Sequence, residues 1–354
     1  NRNFSEFAET PNRQAVATAI DSLQSSSTPP SADFQAVLDN LTVLTVGEAP
    51  AALDSLSGEA LSQFTNTRLA LIDRFDRAIH ARIYDLDAKP GKATPSVSAR
   101  PPRARARRSA SSLPPVSLPP AGAAGAGAWI EALGVIGAVE GGRGSSELEY
   151  GIGGVVLGAD YRIHPKVALG GAFAYASTDS KVSDLDSKAD ADSFLTALYA
   201  AFGDPSLNLA FSGRYGHHDL SSRREIEFMS RRATGSADAD DFGFSVDGEI
   251  QLLAAGAFRY QALGSLSYTH LKRDAFRERG AGDISLDVDS ESIDSIASGL
   301  GGRLYACFEA EPGWIVAPEL WALWNREFGD VERRLDARLG SDPDPTLGRF
   351  TVYG

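Results

Sequence analysis

One cysteine, one methionine and no long apolar run set the first limits on this chain of 354 residues. A single thiol excludes a disulfide framework and a thiolate zinc site, both of which need at least two. It leaves an oxidising compartment open. The most apolar stretch, Ala121 to Val139, is mostly Ala and Gly with Glu131 inside it. A spanning helix takes about 20 residues rich in Leu, Ile, Val or Phe, so none is expected there. Residue 1 is Asn and no basic stretch followed by an apolar core opens the chain, so any secretory signal is expected to lie outside this sequence. Acidic residues outnumber basic ones by 47 to 34, a formal charge of -13, which argues against generic affinity for nucleic acid. With 35 glycines the chain is too Gly-rich for a helical bundle and too long for one ordinary domain.

Three zones follow one another. Residues 1–88 read as helical and passenger-proximal in position, ahead of everything else. Thr10 before Pro11 is a cap with proline at the first helical position, and Val16, Ile20 and Leu23 recur at helical spacing. Ser31 can cap a second helix around Phe34, Val37 and Leu41. Ser57 can cap a third, with Leu69, Ile72, Phe75, Ile79 and Ile83 on one face and Asp73 and Arg77 four apart on the polar side. These stripes pack together as a small subdomain, or one helix lies inside something larger. Residues 89–125 are rich in Pro, Arg, Ala and Gly without one acidic residue, and carry +7 while the rest of the chain carries -20. Without interleaved aromatics or a folded platform, that composition reads as a solvated linker.

From 126 to 354 the pattern turns to strands, expected at 129–138, 149–163, 167–177, 193–202, 207–219, 243–259, 262–274, 290–308 and 314–328. The gaps between them run long and short in alternation. His164-Pro165-Lys166, Gly203 to Ser206, a tight turn near Tyr260 and Gln261, and Glu309 to Gly313 are short; Thr178 to Asp192 and Leu220 to Phe242 are long, polar loops. Short turns on one side and long loops on the other describe an antiparallel up-and-down transmembrane β-barrel.

Within strands, Leu207, Leu209, Phe211 and Tyr215 oppose Asn208, Ala210, Ser212 and Arg214, and Val167, Leu169, Phe173 and Tyr175 oppose small residues. Parity puts Asp160, Arg162, Arg214, Glu249, Arg303 and Glu319 opposite the apolar face. That placement suits a water-filled lumen and would be costly in lipid. Tyr161, Phe202, Tyr260, Phe308 and Trp314 border the short turns, where a membrane-interface girdle belongs.

At this point the chain resembles the translocator domain of a type Va autotransporter. Gly153 to Arg162 is similar to that family's second strand, and Trp324-Asn325-Arg326-Glu327-Phe328-Gly329-Asp330 to its late-barrel stretch. Leu266 to Leu271 with Phe276 to Gly280 form a third match, and Thr10 to Ala17 and Leu56 to Ala60 resemble its pre-barrel segments. The resemblance implies a 12-stranded barrel in the outer membrane of a Gram-negative bacterium, with a helix in its pore. It implies a role in bringing a passenger to the cell surface by type V secretion, with the barrel assembly machinery as helper. Outer-membrane lipid and lipopolysaccharide, and the passenger segment itself, are the other expected partners. Nine strands and the start of a tenth at Arg349 to Tyr353 are visible, so roughly 40–60 further residues are expected beyond Gly354 to close the barrel.

No catalytic, metal or cofactor site is expected. His217 and His218 are neighbours on a strand and point to opposite faces, so they cannot share a metal as i, i+2 residues could. No Gly-x-Ser-x-Gly elbow is present, and Gly299-Leu300-Gly301-Gly302 lacks the helix of a phosphate loop. Some autotransporters cut their own linker with an Asn and lumen acids, for which Asp160, Glu249 and Glu319 are the positions here. Structural pairing with Arg162, Arg214 and Arg303 is the favoured role, and Cys307 reads as a small residue on the inner face. Two segments compete for the pore, the Leu69 to Ile83 helix and the Ala/Gly-rich stretch before Trp129. The rival functions are a channel or adhesin-like barrel without secretion, and a barrel enzyme.

Overall fold

The computed structural model describes residues 3–87, 125–141, 146–203, 206–306, 308–310, 314–316, 318–329, 334–340, 344 and 346–353. Helix α1 (Pro11–Gln24) starts where Thr10 accepts the Arg13 amide at 3.3 Å, and α2 (Ala32–Val43) where Ser31 accepts that of Phe34 at 2.9 Å. A short helix not anticipated from the sequence, α3 (Ala49–Ser57), holds Ser57, which therefore ends one helix rather than opening the next. Its hydroxyl still accepts the Glu59 amide at 3.1 Å, at the start of α4 (Glu59–Asp87). Gly58 joins the two with φ +64°, a left-handed conformation that glycine adopts freely, and a Cβ there would collide with the Leu286 side chain.

The strands in chain order are β1 (Ala126–Val139), β2 (Leu148–His164), β3 (Val167–Val182), β4 (Ser187–Gly203), β5 (Leu207–Ile226), β6 (Arg231–Ala255), β7 (Phe258–Arg273), β8 (Phe276–Arg277), β9 (Asp287–Val288), β10 (Glu291–Ala306), β11 (Phe308–Ala310), β12 (Trp314–Val316), β13 (Glu319–Glu327), β14 (Arg334–Arg338) and β15 (Arg349–Tyr353). Nine of them, β1 to β7, β10 and β13, form one antiparallel meander, each strand paired with the next in the chain order of the nine. Among the described residues β1 and β13 are its edges. β11 and β12 make a small separate hairpin, and β15, β14, β9 and β8 make a second sheet at the opposite end. β15 thus returns beside β14.

The long polar loops expected at Thr178–Asp192 and Leu220–Phe242 are largely strand. β3 and β4 pair without interruption out to Val182 opposite Ser187, and β5 and β6 out to Ile226 opposite Arg231. The turns shrink to Ser183–Asp186 and Glu227–Ser230. Hydropathic alternation marks only the part of a strand facing lipid, whereas the backbone ladder continues wherever the partner strand does. β6 has 25 residues, against the roughly 9–11 that cross a membrane. The tight turn expected near Tyr260 and Gln261 lies earlier, at Gly256 with φ +57°, and Tyr260 pairs with Leu253 and Leu304 inside β7.

Two cores result. At the end with the long hairpins, Val16, Ile20, Phe34, Leu41, Leu53 and Leu56 of α1–α3 pack with Leu148, Val182, Ile226, Ile284, Leu335 and Val352. Along the sheet, Leu71, Ile72, Phe75, Ile79 and Ile83 of α4 pack with Trp129, Leu133, Val156, Leu195 and Tyr199. The four helices therefore do not form one unit: three cap the hairpin end, joined there by Ala60, Leu61 and Phe64 of α4, and the rest of α4 lies on the sheet. No described helix is long and apolar enough to cross a membrane.

The cap is tied down by charge. Asp33 accepts Arg231 at 2.6 and 3.0 Å and the Asp283 amide at 2.8 Å. Hydrogen bonding to the Arg231 guanidinium holds the Asp33 carboxyl below the usual carboxylate range, against a smaller opposing effect of burial. A depressed folded-state pKa gives stabilisation that is full above the unfolded value of about 3.9 and is lost as pH falls through the folded value. Amide protection factors in Ala32–Val43, corrected for the intrinsic pH dependence of exchange, are therefore expected to fall on acidification below about pH 4 before those in β3–β6 do. Asp33→Asn should give the lower protection already at neutral pH, and unchanged protection in that variant would refute the tie.

Candidate functional site

The site is the face of the sheet that carries α4. Twenty-nine residues at about 1.5 Å each make α4 some 43 Å long, more than the ~30 Å hydrocarbon core of a bilayer. Most of this helix is buried or half-buried, with the Asp73 and Arg77 side chains its most open part, although it carries charges on several sides. The charges it buries need polar partners.

The strands supply them. Arg82, buried within the apolar stripe between Ile79 and Ile83, donates from Nε and Nη2 to the two oxygens of Asp160 at 2.7 and 3.0 Å. Asp160 also accepts the Tyr199 hydroxyl at 3.2 Å, which accepts the Trp129 indole N–H at 2.9 Å. Arg74 pairs with Glu131 of β1 at 2.5 Å. On the other flank, Arg214 of β5 donates to Asp76 of α4 at 2.6 Å, to Asp241 of β6 at 2.9 Å and to Thr269 of β7 at 2.8 Å. His80 meets Asp247 at 2.8 Å and Ser245 at 2.9 Å, and Arg162 donates to the Leu86 carbonyl at the far end of the helix. α4 is thus gripped from β1 and β2 on one side and from β5 and β6 on the other. Small inner residues, among them Ala174, Ala176 and Ala197, give it room.

Of the residues singled out from sequence, Asp160, Arg162 and Arg214 meet at α4. Glu249 stands opposite Asn208 in the ladder, and Arg303 opposite Gln261 with its guanidinium 5.2 Å from the Tyr305 ring. Glu319 pairs with Tyr305 in the ladder, but its side chain and that of Trp314 lie outside the described residues, as does Cys307. Sequence reasoning missed Arg74, Asp76, His80 and Arg82 of α4 and Glu131, Asp241 and Asp247 of the strands. Arg82 was detectable as a charge inside an apolar stripe. Asp241 shares the parity of Glu249 but falls in the Leu220–Phe242 stretch, whose polar composition reads as a loop.

The opposite face is apolar and open. Leu169, Phe173, Leu198, Phe211, Leu266 and Leu300 are exposed across neighbouring strands, a patch far larger than a water-soluble monomer presents. Tyr161, Tyr260 and Phe308 are exposed at its short-turn border, Phe202 is half-buried there, and Phe308 meets Phe258 edge-on at 5.9 Å. A second row, unforeseen, borders the hairpin side. Tyr175, Tyr215 and Tyr268 each donate to an aspartate of the adjacent strand, Asp192, Asp240 and Asp294, at 2.7, 2.6 and 2.6 Å. Along β7 the two rows are separated by the step from Tyr260 to Tyr268, about 27 Å of strand, or roughly 20 Å of membrane depth at a tilt near 40°.

An antiparallel meander with an apolar exterior between two aromatic rows, and a charged helix held on its inner face, is the strand arrangement of an outer-membrane β-barrel. The autotransporter beta-domain family matches residues 128–354, and the chain belongs to that family. Among solved structures it is similar to the beta domain of the Bordetella autotransporter BrkA, at 17% identity and a TM-score of 0.44 over 61% of this chain and 87% of that one. It is similar also to the translocator domain of autotransporter NalP from Neisseria meningitidis, at 16% identity and a TM-score of 0.43 over 66% and 84%. A third similarity, to the siderophore receptor PiuA from Acinetobacter baumannii, has 10% identity and a TM-score of 0.34 over 65% and 41%. No curated protein sequence matches. The protein is an outer-membrane translocator of type V secretion in a Gram-negative cell.

Proposed function

We propose that α4 is the segment of exported chain left in the pore, and that the protein acts as conduit and anchor rather than as a catalyst. The direction of the helix carries this reading. Glu59 at its start accepts the Ser146 amide at 2.7 Å and Asn12 at 2.9 Å at the hairpin end, whereas Leu86 reaches Arg162 beside the short turn that follows His164. Long hairpins face outward and short turns face the periplasm in such barrels. The polypeptide therefore runs from the cell surface inward through α4 and comes back outward as β1. Whatever precedes α1 is delivered to the surface side.

On this reading residues 1–88 are the passenger-proximal unit, 89–125 the linker on the periplasmic side and 126–354 the barrel. Asp160, Arg162, Arg214, Glu249 and Arg303 line the lumen, where their role is to hydrate it and hold α4. Tyr161, Phe202, Tyr260 and Phe308 form the inner-leaflet girdle, and the apolar face meets outer-membrane lipid and lipopolysaccharide. Insertion is the work of the barrel assembly machinery. A channel or adhesin-like role fits less well, because α4 occupies the inner face of β1–β5.

Epitope tags test the topology. A tag between Gln24 and Ala32 is expected to bind antibody on intact cells, and a tag within 89–124 only after the outer membrane is permeabilised. The reverse pattern, or equal labelling of both, would overturn the reading.

A further inference from the structure

We propose that His217, Asp219 and Asp238 bind one divalent transition-metal ion of the zinc class on the outer face of the barrel, just above the outer tyrosine row. The site is separate from α4 and does not depend on the secretion reading. His217 and Asp219 are two apart on β5 and share its outward face, and Asp238 stands directly opposite Asp219 on β6. Each of the three offers a ligand atom, and these atoms all lie within 4.8 Å of one another. One imidazole nitrogen and two carboxylates is a donor set suited to such an ion.

The imidazole is already oriented for ligation. Nδ1 of His217 is hydrogen-bonded to Asp240 at 2.9 Å, and Asp240 also takes the Tyr215 hydroxyl at 2.6 Å. That bond turns Nε2 toward Asp219, 3.6 Å away. A carboxylate on one ring nitrogen with the other free for metal is the usual supporting arrangement of a ligand histidine.

The molecule contains its own control. The same unit recurs on β7 and β10, where Tyr268 donates to Asp294 at 2.6 Å and His270 Nδ1 contacts the same carboxylate at 3.0 Å. There the position corresponding to Asp219 is Lys272 and that corresponding to Asp238 is Ser292. The tyrosine-histidine-aspartate unit is therefore a feature of the belt, and the acid pair around Nε2 belongs to one copy only. The pair needs an explanation, because like charges directly opposite on neighbouring strands are destabilising. Asp192, Asp219 and Asp238 stand in one such row across β4, β5 and β6. Among the described residues no Lys or Arg lies within ion-pair distance of Asp219 or Asp238. A bound dication would neutralise the row.

The test is Zn2+ titration of the full chain folded in detergent micelles, read by competition with a fluorescent zinc indicator. One saturable site per chain is expected. His217→Asn and Asp238→Asn should each weaken it by roughly tenfold or more, and His270→Asn should leave it unchanged. Heat-modifiable gel migration identifies folded samples, and His217→Gln substitutes for any His217→Asn sample that fails this check. Absence of saturable binding in the parent chain overturns the proposal. So does binding unchanged in both His217 variants, or an equal loss in His270→Asn. Displacement of Zn2+ by equimolar Mg2+ or Ca2+ would also refute it, since that result marks a carboxylate-only site for hard cations.

Discussion

Arg214→Ala is expected to destabilise the folded protein by about 3–5 kcal/mol, the usual cost of removing one partner from a buried charge network. The arginine is buried and bonds to Asp76, Asp241 and Thr269. Without it, two carboxylates remain on the inner face, and among the described residues Asp241 keeps the His218 imidazole at 3.0 Å. Arg214→Lys retains the charge but cannot reproduce the fork of three nitrogens, so an intermediate loss is expected. The measurement is the denaturant midpoint of tryptophan fluorescence for protein folded into lipid vesicles. A second comparison locates the effect: Asp76→Asn combined with Arg214→Ala should cost less than the sum of the two single changes, because the residues are in contact. A loss below about 1 kcal/mol for Arg214→Ala would mean that water in the pore screens these charges as it does at a surface.

Phe75→Ala is the second large effect. The ring is fully buried at the middle of the α4 stripe, against an inner sheet face dominated there by small alanines. A cavity of that size costs about 3–5 kcal/mol. Since Phe75 holds helix to sheet, the loss should fall on α4 occupancy as well as on global stability. Planar-bilayer recordings are expected to show rare opening of the parent chain and frequent, larger openings of the variant. Lower stability with unchanged conductance would show that the ion pairs of Arg74, Asp76, His80 and Arg82 alone keep the helix seated.

The two substitutions probe different kinds of holding, and the contrast explains how they would diverge. Apolar packing of Phe75 is insensitive to salt, whereas the pairs to Asp160, Glu131 and Arg214 weaken with ionic strength only as far as water reaches them. Burial of both partners in Arg82–Asp160 places that pair at the well-shielded end of the range.

Local signals were legible without the structure where they acted locally. The Thr10-Pro11 and Ser31 caps open α1 and α2 as the sequence indicates, because a cap is a contact three residues long. α3 escaped notice since nine residues give too few turns for a stripe to stand out. The inner and outer faces of β3 and β5 follow from a period of two, and so does the placement of Asp160, Arg162 and Arg214. The strand ends did not, because beyond the tyrosines the outer face meets water and the buried face mixes Thr178 and Ser180 with Val182, so burial still alternates while hydropathy does not.

The membrane-facing band, the meander of short turns and the amphipathic stripe of α4 are each set by residues close together in the chain and are legible there. Long-range packing alone places α4 on the inner face, brings Arg82 to Asp160 and lets Arg214 join Asp76 to Asp241, while most of the Ala/Gly stretch lies outside the described residues. These partners are 78, 138 and 27 residues apart. Which of them meet depends on ladder register and on how deep the helix sits, and a periodic pattern carries no information about either.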